Sequence, residues 1–402
     1  MTERVGVNVR LRLTLMACRP DETDWQFSLN AARQAASRPW RKSMPEIKIA
    51  TWNIEWMISI FGGTWNQWDG TIPQTFPGGS FGGITLAKID DVPALCDRIA
   101  GVINAVAPKI LVVQEGPPLK AQMELFVKNF LNDDFVVHSS NPKSQCLHAL
   151  VHKSIATKVT SFAHDGAETV DLRSAIKFYP WGKIAAADQK SHKFDRRPLV
   201  LTFQPTANKK LRIINVHTKS KFSKLKKPQQ WIDREPDAIN DALLVRQKLS
   251  AEIYRLREFA IADLGPGNSP PNASVILGDL NDGAYAELIE REFLIHNIID
   301  ELVGSFLEPD TYFKHAMTAA TIGSSFTVSF PDPLEGGQIV QEMIDHVVLS
   351  PGIWQTGGPF KLKSGSCRVE LAAYNQFDAT GTVRKRGDRP SDHRPVSAII
   401  EY

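Results

Sequence analysis

ASVILGDLNDGAY, residues 273–285, starts as an apolar run and ends in acidic and amide side chains. Residues 275–277 are Val-Ile-Leu, which is typical of a buried strand. A glycine then precedes Asp279, Asn281 and Asp282. One interpretation is a simple turn, because Gly, Asp and Asn are the usual turn formers. The other is a metal or catalytic site, and the rest of the chain distinguishes the two.

The composition fits a globular protein of one large domain or two ordinary ones. The chain has 402 residues, of which 43% are hydrophobic and 23% are charged. The net charge of +3 argues neither for nor against a polyanionic partner. Because no apolar run reaches about 18 residues, we predict no membrane span. The four cysteines lack zinc-ligand or redox spacing, so we predict buried free thiols at Cys18, Cys96, Cys146 and Cys367.

The first 43 residues differ in character from the rest of the chain. Arginines interrupt their only apolar stretch, which fits a secretory signal poorly. A mitochondrial-type presequence is a second interpretation, although four acidic residues count against it. A third is that Met44 is the true start. We favour the third, so residues 1–43 are expected to lie outside the fold and residues 44–402 to form a single mixed α/β domain. With no clear signal peptide, we expect a cytoplasmic protein, and we expect a monomer.

Alternating and helical periodicities predict the main elements. PEIKIATWNIEW (45–56) alternates as a strand does, and residues 58–84 are rich in Gly, Trp and Phe and predict a long loop. Apolar residues at helical spacing predict helices over 90–106 and 237–264. Further strands are predicted for KILVVQEG (109–116), PLVLTF (198–203), LRIINVHTKS (211–220), MIDHVVLS (343–350) and HRPVSAIIEY (393–402).

Polar residues recur where these strands end or begin. The residues concerned are Asn53, Glu55, Gln114, Glu115, His217, Asp279, Asn281, Asp345, His346, Asp392 and His393. If the strands lie side by side, one rim of the sheet carries several carboxylates, amides and imidazoles. Clustered carboxylates repel one another unless a cation or a bound proton relieves them. Oxygen-rich ligand sets select hard cations such as Mg²⁺ or Mn²⁺.

The ordered motifs TWNIEW, VVQEG, NVHTKS, LGDLND, IDHV and SDHRP resemble the endonuclease/exonuclease/phosphatase superfamily, the DNase I-like fold. They run from about residue 47 to residue 402, and six motifs in the right order are more specific than any one of them. The resemblance implies a four-layer α/β/β/α sandwich, in which helices flank two packed mixed sheets. It also implies a metal-dependent phosphoric ester hydrolase with its site at one open rim.

The resemblance implies a set of metal ligands. Glu115 matches the family's main metal-ligating glutamate, and Asn53 matches the asparagine beside it. Glu55 falls where some members have an aspartate near the metal, either as a ligand or in contact with one. Asp392 matches a further carboxylate on the metal side. The implied cofactor is Mg²⁺, with Mn²⁺ as a possible substitute.

Other positions match the family's catalytic residues. Asp279 and Asn281 match the pair that orients and activates the attacking water. His393 matches the histidine that contacts the scissile phosphate, and Asp345 matches the carboxylate that orients it. His217 matches a histidine that protonates the leaving oxygen. Such groups suit the chemistry, because hydrolysis of a phosphodiester needs a positioned water, a proton donor and neutralisation of the phosphoryl charge.

Basic residues near these motifs are candidate phosphate contacts. Arg196 in DRRPLV fits the family's Arg-x-Pro, with Arg197 close enough to compete. Lys219 follows His217 closely and is assigned to phosphate binding. The run KSKFSKLKK (219–227) is either a solvated loop or a surface that tracks a nucleic-acid backbone. His296, His315 and His346 are interpreted as ordinary polar residues.

The leading hypothesis for the substrate is DNA or RNA. The lysine run and the aromatic residues Trp65, Trp68 and Phe81 favour an extended polyanion with bases that can stack. A phosphomonoesterase or phospholipid diesterase of the same superfamily is the alternative. Its inositol-phosphate branch typically continues GDLN with Tyr-Arg, whereas Asp282 follows here. An inactive binding module is the third hypothesis, disfavoured because every matched position holds a competent residue.

Overall fold

The computed structural model describes residues 44–63, 67–81, 84–162, 170–262, 264, 272–283, 287–332, 334, 337–379 and 385–402. The chain divides into two units, Met1–Met44 and Pro45–Tyr402. Residues 1–43, which are expected from the sequence to lie outside the fold, are not among the described residues. Trp65, Cys18 and the 163–169 segment also lie outside them.

The strands of the described part follow one another along most of the second unit. In chain order they are β1 (Glu46–Asn53), β2 (Gly79–Phe81), β3 (Ile84–Leu86), β4 (Ile110–Gly116), β5 (Phe135–Ser139), β6 (Cys146–His152), β7 (Val159–Ser161), β8 (Ile176–Phe178), β9 (Lys190–His192), β10 (Leu199–Thr206), β11 (Lys209–His217), β12 (Asn272–Asp279), β13 (Lys314–His315), β14 (Val328–Asp332), β15 (Gln338–Glu342), β16 (Asp345–Leu349), β17 (Lys361–Leu362), β18 (Arg368–Val369) and β19 (Val396–Glu401).

Helices separate several of these strands. They are α1 (Val92–Val106), α2 (Lys120–Phe130), α3 (Pro228–Ile232), α4 (Pro236–Ala262), α5 (Leu288–Phe293), α6 (Ile298–Val303), α7 (Ala319–Gly323), α8 (Pro351–Trp354) and α9 (Leu371–Asn375). Short 3-10 turns cover Met57–Phe61, Lys153–Lys158, Ala186–Asp188 and Arg386–Asp388. Helix α1 begins at Val92, because the Asp91 side chain accepts a hydrogen bond from the Ala94 N–H and a proline lies in the first turn.

Two mixed sheets carry most of the strands. The first has the order β17-β19-β1-β4-β6-β5, with β18 also paired to β19, and the second has the order β13-β16-β12-β11-β10-β7. In the first sheet β1 and β4 are parallel, and in the second β11 and β12 are parallel. The remaining neighbours within these two sheets are antiparallel.

Strand periodicity divides the apolar side chains among three buried layers. Along β4, Ile110 and Val112 point into the core between the two sheets, together with Ile213 and Val275 of the second sheet. Leu111 and its alternate neighbours point outward against α1 and α2. The outer face of the second sheet is covered by α4 and α6. The predicted four-layer α/β/β/α sandwich is therefore confirmed.

The structure also tests the smaller predictions. The strands and the two helices predicted from periodicity are confirmed. The prediction of a continuous loop over 58–84 is wrong in part, because Met57–Phe61 forms a fully buried 3-10 turn and β2 pairs with β3. That turn is apolar enough to pack into the core under the first sheet. Cys96, Cys146 and Cys367 are buried free thiols, as predicted. Among the described residues, the helices are too short or too polar to span a bilayer.

The strand ends meet at one rim because of the topology. Parallel pairing aligns Asn53 of β1 with Gln114 of β4, and His217 of β11 with Asp279 of β12. The antiparallel strand β16 starts at this rim, where Asp345 pairs with Asp279. Strand β19 starts there as well, so the residues just before it, including His393, reach the same place.

Gly278 permits the close contact between β11 and β12 just below the rim. Its φ is +150°, and a Cβ at this position would lie 1.9 Å from the Val216 carbonyl oxygen. Only glycine tolerates that approach without displacing the backbone. The glycine that interrupts the opening apolar run therefore seats Asp279 beside His217.

Candidate active site

The carboxylate of Asp279 lies at the centre of the rim between two histidines. Its Oδ2 is 3.4 Å from His217 Nε2 and 3.9 Å from His393 Nε2. Asn53 Nδ2 donates a hydrogen bond to the same oxygen at 2.9 Å, and the Asn281 N–H donates to Oδ1 at 2.8 Å. Burial first, and then the nearby Asp345 carboxylate, raise the pKa of Asp279 to about 6.

His393 is held in a charged form by a buried carboxylate. Its Nδ1 lies 2.8 Å from Asp345 Oδ2, and both side chains are almost fully buried. Burial opposes the charge on the imidazole, but the carboxylates of Asp345, Asp392 and Asp279 outweigh it and raise the pKa of His393 well above its ordinary value. The contact between Asp345 and Nδ1 fixes the ring orientation and leaves Nε2 directed toward Asp279.

His217 has the opposite electrostatic character. Burial first, then the positive charges of Arg196 and His393, lower its pKa well below the ordinary value. Its 3.4 Å contact with Asp279 is therefore between a carboxylate and a neutral imidazole rather than an ion pair. Among the described residues, the buried Nδ1 of His217 has no hydrogen-bond partner. One carboxylate is thus flanked by one neutral and one charged imidazole.

Glu115 borders this group from the first sheet. Its Oε1 is 4.0 Å from His217 Nε2, and its Oε2 accepts a hydrogen bond from the Trp56 N–H at 2.8 Å. Burial and the charge of Asp392 raise the pKa of Glu115 to about 7. Positive φ angles occur at Glu115 (55°) and Asn281 (52°), where a non-glycine residue is strained. Strained backbone held by its surroundings is common at functional sites.

Glu55 faces two arginines from the C-terminal segment. Arg389 binds both carboxylate oxygens, with distances of 2.7 Å and 3.1 Å, and Arg386 Nε lies 3.4 Å away. Glu55 is therefore engaged by cations of the protein itself, and the Glu55 N–H donates to Asn53 Oδ1 at 3.1 Å. Asp392, half-buried, follows Ser391, whose hydroxyl lies 3.4 Å from Asp392 Oδ1.

The rim residues fit a cation. Ligand atoms of Asp279, Asp345 and His393 lie within 4.8 Å of one another, and the two carboxylates are the members of this trio that can bind a metal ion while His393 is charged. Asp345 Oδ1 is buried and has no hydrogen-bond partner among the described residues. Burial first, and then the charge of Asp392, raise the pKa of Glu115 at the same rim. Of the four predicted ligands, Asn53 contacts this trio directly, whereas Glu115, Asp392 and Glu55 surround it at the same rim.

A second acidic group is neutralised by the protein. Asp282, Glu287 and Glu290 also lie close together. Arg246 pairs with Asp282 at 2.8 Å, and Lys221 pairs with the same carboxylate at 3.0 Å. Lys221 also contacts Glu287. The lysine run therefore contributes one of its members to a buried ion network, which its sequence pattern did not indicate.

Arg196 and Lys219 occupy different positions beside His217. The Arg196 guanidinium donates to the His217 carbonyl oxygen at 3.2 Å, to the Thr218 carbonyl oxygen, and to Gln145 Oε1 at 2.6 Å. Several of its donors thus hold the end of β11. The Lys219 ammonium is half-buried and lies 4.0 Å from Asp195 Oδ2. Neither contact excludes a phosphate, and both phosphate-binding assignments stay predictions.

The remaining predicted histidines and aromatic residues lie outside the trio. His346 contacts the Asp282 carbonyl oxygen at 2.9 Å and the His315 ring at 3.1 Å, while His296 is exposed. Phe81 packs on Trp56, next to the Glu115 contact, at a ring-centroid distance of 6.4 Å. Trp68 instead packs edge-on against Phe61 of the buried turn.

Arg386 and Arg389 are site residues that the sequence motifs did not reveal. They lie shortly before SDHRP, in RKRGDRP (384–390), and the only available signal was a basic run near an acidic motif. Their partner Glu55 lies more than 300 positions away. The pairing of β1 with β19 brings the two segments together.

Comparison with known proteins adds structural relatives only. No protein-family model matches the chain, and no curated protein matches it. The structure is similar to that of TDP2 from C. elegans, with 16% identity, a TM-score of 0.43, and coverage of 93% of this chain and 81% of that one. It is similar to an endonuclease/exonuclease/phosphatase family protein from Bacteroides thetaiotaomicron, with 11% identity, a TM-score of 0.43, and coverage of 89% and 95%.

A third similar structure is the Bacteroides thetaiotaomicron mannosyl-6-phosphatase, with 12% identity, a TM-score of 0.45, and coverage of 89% of this chain and 100% of that one. The similar structures thus include the family that the sequence motifs resemble. Identities and TM-scores this low carry no argument about activity or substrate, so the function is argued from the side chains at the rim.

Proposed function

We propose that this protein is a Mg²⁺-dependent phosphodiesterase, and that its substrate is DNA or RNA. The observation that carries the proposal is the Asp279 carboxylate, fixed by Asn53 and Asn281 between a neutral His217 and a charged His393. Two imidazoles whose pKa values are pushed apart offer one proton acceptor and one positive charge within a single site.

Asp279 is the proposed base for the attacking water. With a pKa of about 6 it is ionised at neutral pH yet basic enough to accept a proton. Asn53 and the Asn281 N–H hold its two oxygens, so the carboxylate presents a fixed edge. The Asn281 side chain donates to the Thr218 carbonyl oxygen at 3.0 Å, which anchors the turn after β12 to the end of β11.

The two histidines divide the contacts with the phosphate. The charged His393, backed by Asp345, attracts the scissile phosphate and donates a hydrogen bond from Nε2. His217 is neutral before substrate binds, so its role as proton donor to the leaving oxygen requires a proton taken up beside the bound anion. A nearby negative charge favours that uptake because it raises the pKa of an imidazole.

Glu115, Asn53 and Asp392 are the proposed metal-holding residues, with Asp279 beside them. When bound, a divalent cation neutralises charge on the phosphoryl oxygens. The donors are carboxylate and amide oxygens, which suit Mg²⁺ better than softer metals. Glu55 is proposed to position Asn53 and the C-terminal arginines rather than to bind the ion, because Arg389 contacts both of its oxygens.

Nucleic acid is favoured over a small phosphoester by the loop that follows His217. Lys224, Lys226 and Lys227 are exposed, and among the described residues their ammonium groups have no ion-pair partner. A row of free cations next to a phosphodiester site suits a long polyanion. Phe81 and Trp56 beside Glu115 add an aromatic surface at the same rim.

A substrate panel tests the proposal. DNA, RNA, an inositol phosphate and sphingomyelin are each incubated with Mg²⁺, with and without chelator, for the wild type and for Asp279→Asn. We expect chelator-sensitive hydrolysis of DNA or RNA that the substitution abolishes, while circular dichroism shows an intact fold. Preferred hydrolysis of a small phosphoester would favour the alternative substrate class. If none of these substrates is hydrolysed, the proposal that this protein is a phosphoester hydrolase is rejected.

A further inference from the structure

A basic cavity of about 160 Å³ lies beside the candidate active site. No acidic side chain of the described residues lines it. Its cationic lining residues are Lys143, Arg173, Lys193, Arg196 and Arg197. A cavity of about 150 Å³ can hold a molecule the size of benzene, so this one has room for a phosphate group.

Arg196 forms the wall that this cavity shares with the active site. Its guanidinium holds the carbonyl oxygens of His217 and Thr218, at the end of β11. It also donates to Gln145, another lining residue, at 2.6 Å. The cavity is thereby fixed against the strand that carries His217, and Arg196 serves this structural purpose with most of its donors.

Arg197 is a cation of the cavity that the described residues leave unpaired. It is half-buried, and its guanidinium has no hydrogen-bond or ion-pair partner among the described residues. Burial and the neighbouring charge of Arg173 lower the pKa of Arg197, and only Asp171 opposes them. That carboxylate is itself bound by Arg173 Nε at 2.8 Å. A partly desolvated guanidinium that no carboxylate of the described residues pairs with favours a phosphate, which its planar donor set can bind with two hydrogen bonds.

Lys193 is a second cation among the residues that line the cavity. It is exposed, and no carboxylate of the described residues pairs with it. It follows β9 directly and precedes Arg196 by three positions. An exposed ammonium and an unpaired guanidinium that line one cavity are a suitable pair for an anion that arrives from solvent.

We infer that this cavity is a subsite for a second phosphate group of the substrate, one neighbouring the phosphate that is cleaved. The inference rests on the proposed function and narrows its substrate class to esters that carry at least two phosphates. The second phosphate belongs either to a polynucleotide backbone or to the terminal group of a small ester. Both have the same chemistry, and the experiment separates them.

Binding in the presence of chelator tests the subsite without turnover. The probes are thymidine 3′,5′-bisphosphate and thymidine 5′-monophosphate, measured by calorimetry on the full chain. We expect the wild type to bind the bisphosphate about tenfold or more tightly than the monophosphate, the range of a hydrogen bond between charged groups. Arg197→Gln is expected to bring this ratio close to one. Arg291→Gln, at an exposed arginine of α5 outside the cavity, should keep the wild-type ratio.

Equal affinity of the wild type for the two probes would overturn the subsite, as would an unchanged ratio in Arg197→Gln. Lys193→Gln provides a second variant, at an exposed position, if Arg197→Gln melts at a lower temperature than the wild type. If the wild type prefers the bisphosphate but hydrolyses nothing with Mg²⁺, the subsite stands and the proposed enzyme fails. If the wild type hydrolyses substrates with Mg²⁺ but does not prefer the bisphosphate, the proposed enzyme stands and the subsite fails.

The source of the second phosphate is determined by turnover with Mg²⁺. A rise in KM for a short oligothymidylate in Arg197→Gln supports the subsite and assigns it to a polynucleotide. Alternatively, Arg197→Gln changes the affinity ratio of bisphosphate to monophosphate and leaves KM for the oligothymidylate unchanged. That result supports the subsite and assigns it to the second phosphate of a small ester.

Discussion

At the scale of single residues, Glu115 combines three properties of a metal ligand. It lies at a strand end with a strained φ of 55°, its pKa is raised to about 7, and one oxygen faces the His217 side of the site. We expect Glu115→Gln to keep the fold and to reduce Mg²⁺-dependent turnover by about 10²-fold or more. Glu124→Gln, at an exposed glutamate of α2, is the matched control. Wild-type turnover of Glu115→Gln at saturating Mg²⁺ would reject the assignment.

The Asp345–His393 pair predicts a change in pH dependence. The carboxylates around His393 raise its pKa well above the ordinary value, so the charge persists at neutral pH and is lost only as pH rises through the raised pKa. Asp345→Asn removes the nearest carboxylate, so the imidazole loses its proton at lower pH. We expect kcat/KM to fall by about 10²-fold at pH 8 and by less at pH 6. An equal loss at both pH values would mean that Asp345 acts by shape rather than by charge.

At the scale of elements, the loop after β11 tests whether the substrate is a long polyanion. Lys221 pairs with Asp282 and Lys219 lies beside Asp195, so both are left unchanged. Replacing the three exposed lysines of the loop removes charge without touching those pairs. For a duplex substrate we expect KM to rise. The slope of log K against log[salt] should become shallower by up to about 0.9 for each phosphate that a lysine no longer neutralises. The residues changed to Gln are Lys224, Lys226 and Lys227.

Two controls accompany this variant. Turnover of bis-p-nitrophenyl phosphate should stay at the wild-type rate, because so small a diester does not extend along the loop. A second triple variant removes three exposed lysines from other surfaces, at Lys128, Lys158 and Lys361, and should leave KM for the duplex unchanged. Equal effects of the two triple variants would show that overall charge, not this loop, governs binding. If neither triple variant changes KM for the duplex, a small phosphoester is favoured as the substrate.

Local patterns determined what could be predicted from the sequence. The short apolar run of β4 and the polar residues at its end suffice to predict a buried strand and the rim position of Glu115. Partners distant in sequence could not be predicted in this way. The buried turn at Met57–Phe61 depends on a cavity formed by α1 and the first sheet, and Lys221 depends on Asp282, 61 positions later. From charge and composition alone, both Met57–Phe61 and the lysine run that contains Lys221 are predicted to be exposed loops.

At the scale of the molecule, the candidate site depends on both sheets at once. Asn53 and Glu115 come from the first sheet, whereas His217 and Asp279 come from the second. Below the rim, Gln114 donates a hydrogen bond across the sheets to Asn215 at 2.6 Å. This buried contact fixes one sheet relative to the other, because unpaired amides in the core would cost about 1–3 kcal/mol each. The geometry of the site therefore requires the whole sandwich.

All of these elements lie after residue 44, which yields a prediction for the N-terminal segment. A chain that begins at Met44 keeps β1 and its pairing with β19 and β4. We expect it to melt within about 4 °C of the full chain and to keep its turnover, because about 1 kcal/mol shifts the melting temperature of so large a domain by no more than that. A chain that begins at Thr51 is the matched control. It loses Glu46–Ala50, and with it most of the register with β19, so it should fail to fold. A large fall in melting temperature for the Met44 chain would show that residues 1–43 pack on the domain.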